Sequence, residues 1–290
     1  MNRPLLKTLH SDYKVYVKPF VLEEPLDYVF FRPFAFGLIK LTEGLNLKPD
    51  HFSFLAFLSA VVSYLGLRTG TSVGFLIGGL GILVFSILDC CDGMVARVKK
   101  NGSKYGEQVD MFVDLISNIL FFTGIYQGIK VANGFIVYEY LIWVSSLFLL
   151  IHASVYRYFK EQFSFYADGN PRGRMEKLNN YRDDLIELNK ERGRYFDKLL
   201  LNLYLGFSRA QKNPENFQYY DEIQYTKVNK AVLPMWGVIS GSTHLFILAF
   251  SLIFYRIGLY FWFAIILGNL WLMLTLLIQV GVNSTIGAEK

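Results

Sequence analysis

The chain has 290 residues, 53% of them hydrophobic and 17% aromatic, with 29 Lys and Arg against 24 Asp and Glu for a net charge of +5. Length alone allows two soluble domains. Apolar runs of about 17 to 26 residues recur, however, and a membrane span needs about 20. This excludes a soluble globular protein and predicts an all-α polytopic membrane protein. The first thirty residues are charged and lack an apolar core, so no cleavable signal peptide is expected.

In chain order, residues 1–31 mix Arg3, Lys7, Lys14 and Lys18 with Tyr13, Tyr16, Phe20 and Leu22, and Pro19 and Pro25 interrupt any long helix. This reads as an arm at a membrane surface, drawn to anionic lipid. Residues 33–46 form a short amphipathic helix, too short to span, and complete an amino-terminal interfacial unit, 1–48. Pro49 opens the first span, which runs from His51 to Leu67. The second span, Val73–Val98, begins with Gly74, Gly78, Gly79 and Gly81, small residues that let helices approach closely. A basic turn leads to the third span, about Tyr105–Ile129, and the fourth follows at about Ile136–Tyr156. Residues 49–159 make up the predicted catalytic membrane core.

The stretch 160–230 is charged throughout and reads as a cytosolic helical insert between spans four and five. From Arg174 to Leu203 apolar positions fall mostly three to four apart, the stripe of one amphipathic helix. Asn170-Pro171 suits its start and Asn213-Pro214 a turn after it. Its stripe needs a partner: the membrane surface, the core or a second subunit. Two spans, Val232–Phe254 and Gly258–Val280, and a polar tail fill 231–290. With the amino terminus inside, the outer turns carry only Arg68, Lys130 and Arg256, and nearly all other Lys and Arg near span ends lie inside. The positive-inside rule then gives six transmembrane helices with both termini cytosolic.

Against this background four carboxylates stand out. Asp89 and Asp92 lie three apart near the cytosolic end of span two; Asp110 and Asp114 lie four apart near the start of span three. Each pair shares a helix face, and the short connecting turn makes the helices antiparallel neighbours. One Asp at the bilayer centre costs about 2.5–3.5 kcal/mol on insertion scales, and too few basic partners are present to offset four. Hard oxygen donors suit Mg²⁺ or Mn²⁺, and four carboxylates suffice for two ions. Two such ions clamp the attacking and leaving oxygens of a phosphoryl displacement. Gly93 and Gly106 remove side chains beside the acids, so a ligand can approach the backbone, and Arg97 offers a cation for a phosphate or an acid. Cys90 and Cys91 are adjacent and point about 100° apart. They suit neither a disulfide nor a shared metal and read as small apolar fillers.

The pattern D-x2-D-G-x2-A-R-x8-G-x3-D-x3-D is met at every fixed position by Asp89, Asp92, Gly93, Ala96, Arg97, Gly106, Asp110 and Asp114. It resembles the signature of the CDP-alcohol phosphotransferases, also called CDP-alcohol phosphatidyltransferases. The resemblance covers roughly residues 26–160. It implies a homodimeric phospholipid-synthesis enzyme with a di-metal site that transfers a substituted phosphate group from a CDP-alcohol to an acceptor hydroxyl and releases CMP. It implies that Asp89, Asp92, Asp110 and Asp114 ligate metal, that Asp114 is also the general base, and that Gly93, Ala96, Arg97 and Gly106 line the nucleotide pocket. Family members often carry Pro-Asn-x-x-Thr at the head of span one. Here it reads Pro49, Asp50, His51, Phe52, Ser53, which keeps the proline and a hydroxyl, and Ser53 joins the nucleotide set.

Outside the motif, Arg157 and His152 at the cytosolic end of span four and His244 in span five are candidates for binding the acceptor. An interhelical hydrogen bond is the alternative for His244. The expected donor is CDP-diacylglycerol, with a polar alcohol or alcohol phosphate as acceptor. The reverse arrangement, a CDP-choline or CDP-ethanolamine head group moving to a lipid hydroxyl, uses the same motif. A transporter with an acidic ion path does not account for the acids clustering on one hairpin beside Gly and Arg. An aromatic prenyltransferase needs a second, distant Asp motif that is missing here. No nucleic-acid partner is expected.

Overall fold

A computed structural model describes residues 12–45, 47–99, 104–134, 139–211 and 220–286. Residues 1–11 of the arm, most of the basic turn, the Asn213-Pro214 turn and the last four residues lie outside the described residues. Among those described the structure is helical, without strands. Six helical segments are long and apolar enough to cross a membrane, as the sequence predicts: Pro49–Leu67, Ser72–Lys99, Gly106–Ala132, Glu139–Ala167, Glu222–Ile253 and Ile257–Ser284.

The helices are α1 (Arg32–Leu41), α2 (Pro49–Leu67), α3 (Ser72–Lys99), α4 (Gly106–Asn133), α5 (Glu139–Ala167), α6 (Gly173–Lys190), α7 (Tyr195–Gln211), α8 (Glu222–Gly237), α9 (Gly241–Ile253), α10 (Ile257–Trp262) and α11 (Gly268–Ser284). Span five comprises α8 and α9, with Pro234 near its middle; span six comprises α10 and α11 with a π-helical turn, Phe263–Leu267, between them. Proline removes one backbone donor and clashes with the preceding turn, and the chain breaks at Val238–Ser240 before α9 resumes.

Helix α2 packs on α3 and α4, α9 packs on α3, and α8 packs on α5 and α11. Missing side chains allow the closest approaches. A Cβ on Gly79 of α3 would lie 2.6 Å from the Ala249 carbonyl of α9, and one on Gly128 of α4 would lie 2.1 Å from the Leu67 carbonyl. One apolar core joins spans one to three, α1 and α9 around Phe52, Phe85, Phe121 and Leu248. A second joins the ends of α5, α8 and α11 around Tyr166, Tyr225 and Trp236. The free thiols Cys90 and Cys91 are buried within the first, as their reading as fillers requires.

The single amphipathic helix expected over 174–203 is corrected to a hairpin. It divides into α6 and α7 at Gly193 and Arg194, whose φ values are +92° and +52°. A helix cannot continue through two left-handed residues, and glycine accepts that region without steric cost. Folding back turns the two halves of the stripe on each other. Leu178 of α6 meets Tyr204 and Leu205 of α7, and Leu188 meets Leu201 and Tyr105. Span boundaries also move. Span four continues to Ala167, well beyond Tyr156, and span five starts at Glu222 rather than Val232. In both cases polar residues extend a helix whose apolar part alone was legible.

Candidate active site

The α3–α4 hairpin converges as its spacing demands. Asp89, Asp92 and Asp110 each offer a carboxylate oxygen, and the three oxygens lie within 4.8 Å of one another. Asp114, one turn further along α4, stands outside this group and faces α5, its Oδ2 3.5 Å from Nη2 of Arg157. Ser53, at the start of α2, donates its hydroxyl to Asp92 Oδ2 at 2.6 Å. The hydroxyl thus orients one carboxylate of the group from a third helix.

These residues open into a cavity of about 1530 Å³. Its walls include Asp89, Asp92, Asp110, Asp114, Gly93, Ala96, Gly106, Ser53 and Arg157 of the residues singled out from sequence. A Cβ on Gly93 would meet nothing nearer than Arg97 Nη2 at 3.9 Å, so the glycine leaves open space. Three other candidates do not line it. Arg97 is half-buried and turns to Glu23, Nη1 to Oε1 at 3.3 Å. His152 and His244 are fully buried, and they hydrogen-bond to each other, Nδ1 to Nε2 at 2.9 Å. His244 Nδ1 in turn lies 3.2 Å from the Tyr260 hydroxyl. This is the interhelical arrangement, and it occupies both rings away from the cavity.

The arm supplies residues that sequence reasoning missed. Glu23 is buried between Arg97 and Arg32, with Arg32 Nη2 2.7 Å from its Oε2. Glu24 accepts hydrogen bonds from the Ser242 N–H at 3.1 Å and the Ser242 hydroxyl at 2.5 Å. Burial pushes its carboxyl up, but Lys160 and the serine donors more than offset this and hold it below the usual range. Asp27, also on the cavity wall, is pushed up to about 7 by burial and by Glu24. The clustering of Glu23, Glu24 and Asp27 within five residues of the arm was the available signal. From the insert, Lys177, Phe196, Asn202 and Leu203 complete the wall. Lys177 joins α6 to the membrane helices, 2.8 Å from both Glu107 Oε2 and Glu161 Oε1.

The geometry could hold a hard cation. Three carboxylate oxygens a few ångströms apart supply the donor chemistry that Mg²⁺ and Mn²⁺ select. Comparison with protein families agrees: the model of the CDP-alcohol phosphatidyltransferase family matches residues 46–164. Over this segment the chain is similar to the CDP-alcohol phosphatidyltransferases. This is a family of transferases of substituted phosphate groups in phospholipid biosynthesis, generally dependent on a divalent metal, acting between a CDP-alcohol donor and an alcohol acceptor. The match ends at residue 164, before α6 and α7. A search of curated proteins finds no match.

Proposed function

We propose that this transferase moves a phosphatidyl group from CDP-diacylglycerol to the hydroxyl of a polar alcohol and releases CMP, as a homodimer whose site faces the cytosol. The observation that carries the reading is the convergence of Asp89, Asp92 and Asp110 within 4.8 Å at a large cavity whose nucleotide-side wall is kept open by Gly93.

Asp89, Asp92 and Asp110 would hold the divalent ions, Mg²⁺ or Mn²⁺, with Asp114 adjoining. When bound, such ions supply charge stabilisation to a pyrophosphate and its leaving oxygen. The chain's own residues do the rest. Ser53 fixes the Asp92 carboxylate. Gly93, Ala96 and Gly106 admit the nucleotide. Asp114 takes the proton of the acceptor hydroxyl, and Arg157 holds that carboxylate toward α5. The acceptor oxygen then bonds to the phosphorus distal to cytidine, the bond from that phosphorus to CMP breaks, and CMP leaves. Positioning and charge stabilisation supply most of the rate. Arg97 enters as the residue that links this wall to the arm through Glu23.

The test is product analysis with purified protein, radiolabelled CDP-diacylglycerol, CDP-choline and CDP-ethanolamine, and a panel of alcohol acceptors. Metal-dependent CMP release with transfer from CDP-diacylglycerol is expected. Transfer only from the CDP-head-group donors reverses the direction, and ion transport without nucleotide turnover overturns the reading altogether. Asp114→Asn protein is expected to lose about 10²–10⁴-fold in turnover; unchanged CMP release removes the base assignment.

A further inference from the structure

Helix α7 is apolar on two sides. Leu200, Leu201, Tyr204 and Leu205 are buried, against α6 and the start of α4. On the opposite face Tyr195, Phe196, Leu199 and Leu203 are 79%, 52%, 47% and 38% exposed. A helix with apolar residues on both faces belongs in a core or in lipid. That exposed face is continuous with the substrate cavity, because Phe196, Asn202, Leu203 and Gly206 also form part of its wall.

The height of α7 along the membrane helices decides what covers it. Helix α4 has 28 residues; at about 1.5 Å each it is about 42 Å long, against about 30 Å of hydrocarbon. An even overhang puts the hydrocarbon boundary near the fourth or fifth residue of α4, between the residues that α7 touches: Tyr105 and Glu107 before it, Met111 and Phe112 after it. Met111 joins the Tyr204 and Leu205 cluster, and the ring of Phe112 packs edge-on to Phe196 at 5.6 Å. The open face is preceded and flanked by Lys190, Arg192, Arg194 and Lys198, with two acids among them. A basic margin of this kind suits an anionic headgroup layer.

We infer that α7 lies in the headgroup–acyl boundary, and that hydrocarbon chains of the adjoining leaflet cover its Tyr195–Leu199–Leu203 face and reach the cavity wall at Leu203. The cavity therefore opens sideways into the leaflet beside the insert. This goes beyond the transferase reading, and its test needs no turnover, so the two fail separately.

The full chain, carrying Leu199→Cys or Leu203→Cys labelled with bimane, is reconstituted in phosphatidylcholine vesicles with and without chain-brominated lipid. Cys90 and Cys91 are buried, and the unsubstituted chain gives the labelling background. Val62→Cys, on the exposed side of span one, marks full contact with lipid, and Asn180→Cys, exposed on α6, marks none. Bromine quenching at both leucine positions close to that at Val62 is expected. Quenching at either position no greater than at Asn180 overturns the proposal, as does crosslinking of Leu203→Cys between two copies of the chain, which would put a second subunit on this face. Tyr195→Cys replaces a leucine variant that does not fold.

Discussion

Glu23 Oε1 sits 3.3 Å from Arg97 Nη1, across 74 residues of sequence. The carboxylate is fully buried, and its second oxygen lies 2.7 Å from Arg32 Nη2. One arm residue thereby holds a motif arginine and the first helix together beside the cavity. Removing one partner of a buried ion pair strands the remaining charge and costs about 3–5 kcal/mol. Glu23→Gln is expected to lower thermal stability in detergent by about 3 kcal/mol and to raise the KM for the CDP donor. An unchanged unfolding midpoint would show that the arm is not held this way.

Three carboxylates within 4.8 Å repel one another when no cation is bound. At an effective dielectric of about 20, a pair of charges at that distance opposes the fold by about 3 kcal/mol. Asp89→Asn is therefore expected to raise the unfolding midpoint in excess chelator while abolishing the stabilisation that Mg²⁺ gives the unsubstituted chain. A midpoint that falls in chelator would mean the acids are structural partners rather than a cation site.

Ser53 reaches Asp92 from a different helix at 2.6 Å. Groups that orient a metal ligand through a hydrogen bond are worth about 10–100-fold in metal affinity. Ser53→Ala should weaken Mg²⁺ by about that factor, read as the midpoint of a thermal-shift titration, and Ser53→Thr should restore most of it. Equal Mg²⁺ midpoints for the alanine variant and the unsubstituted chain would leave Ser53 no orienting role.

Lys177 ties α6 to α4 and α5 through Glu107 and Glu161. Burial pushes its ammonium down, but Glu107 and then Glu161 more than offset this and hold it well above the usual lysine range. A lysine raised in the native state contributes stability that is fully present below its unfolded pKa of about 10.4 and is lost as pH rises through the native value. Trypsin cleavage at the Arg192–Arg194 turn is thus expected to show no pH-linked loosening of the insert up to about pH 9. Lys177→Met should loosen it by about 1.5–3 kcal/mol, about tenfold or more in cleavage when opening is at equilibrium. Equal cleavage of the two proteins would detach Lys177 from the stability of the insert.

The membrane class, the six spans and the residues of the acidic hairpin were legible because each rests on local pattern. Hydrocarbon thickness sets a run length, helix pitch puts Asp89 with Asp92 on one face, and a short turn forces two helices side by side. Other features depend on which surfaces meet, and no periodicity encodes that. The hairpin of α6 and α7 turned on two left-handed residues, which a stripe of apolar positions does not register. The arm's Glu23 finds Arg97 only after the chain has folded back across α3, and His152 finds His244 only when α5 meets α9. Asp114 shared the spacing of the other acids but faces Arg157 on α5, because the next span folds back and packs beside α4. Local sequence decided where charge must be tolerated in the membrane; the packing of distant helices decided which partner each charge took.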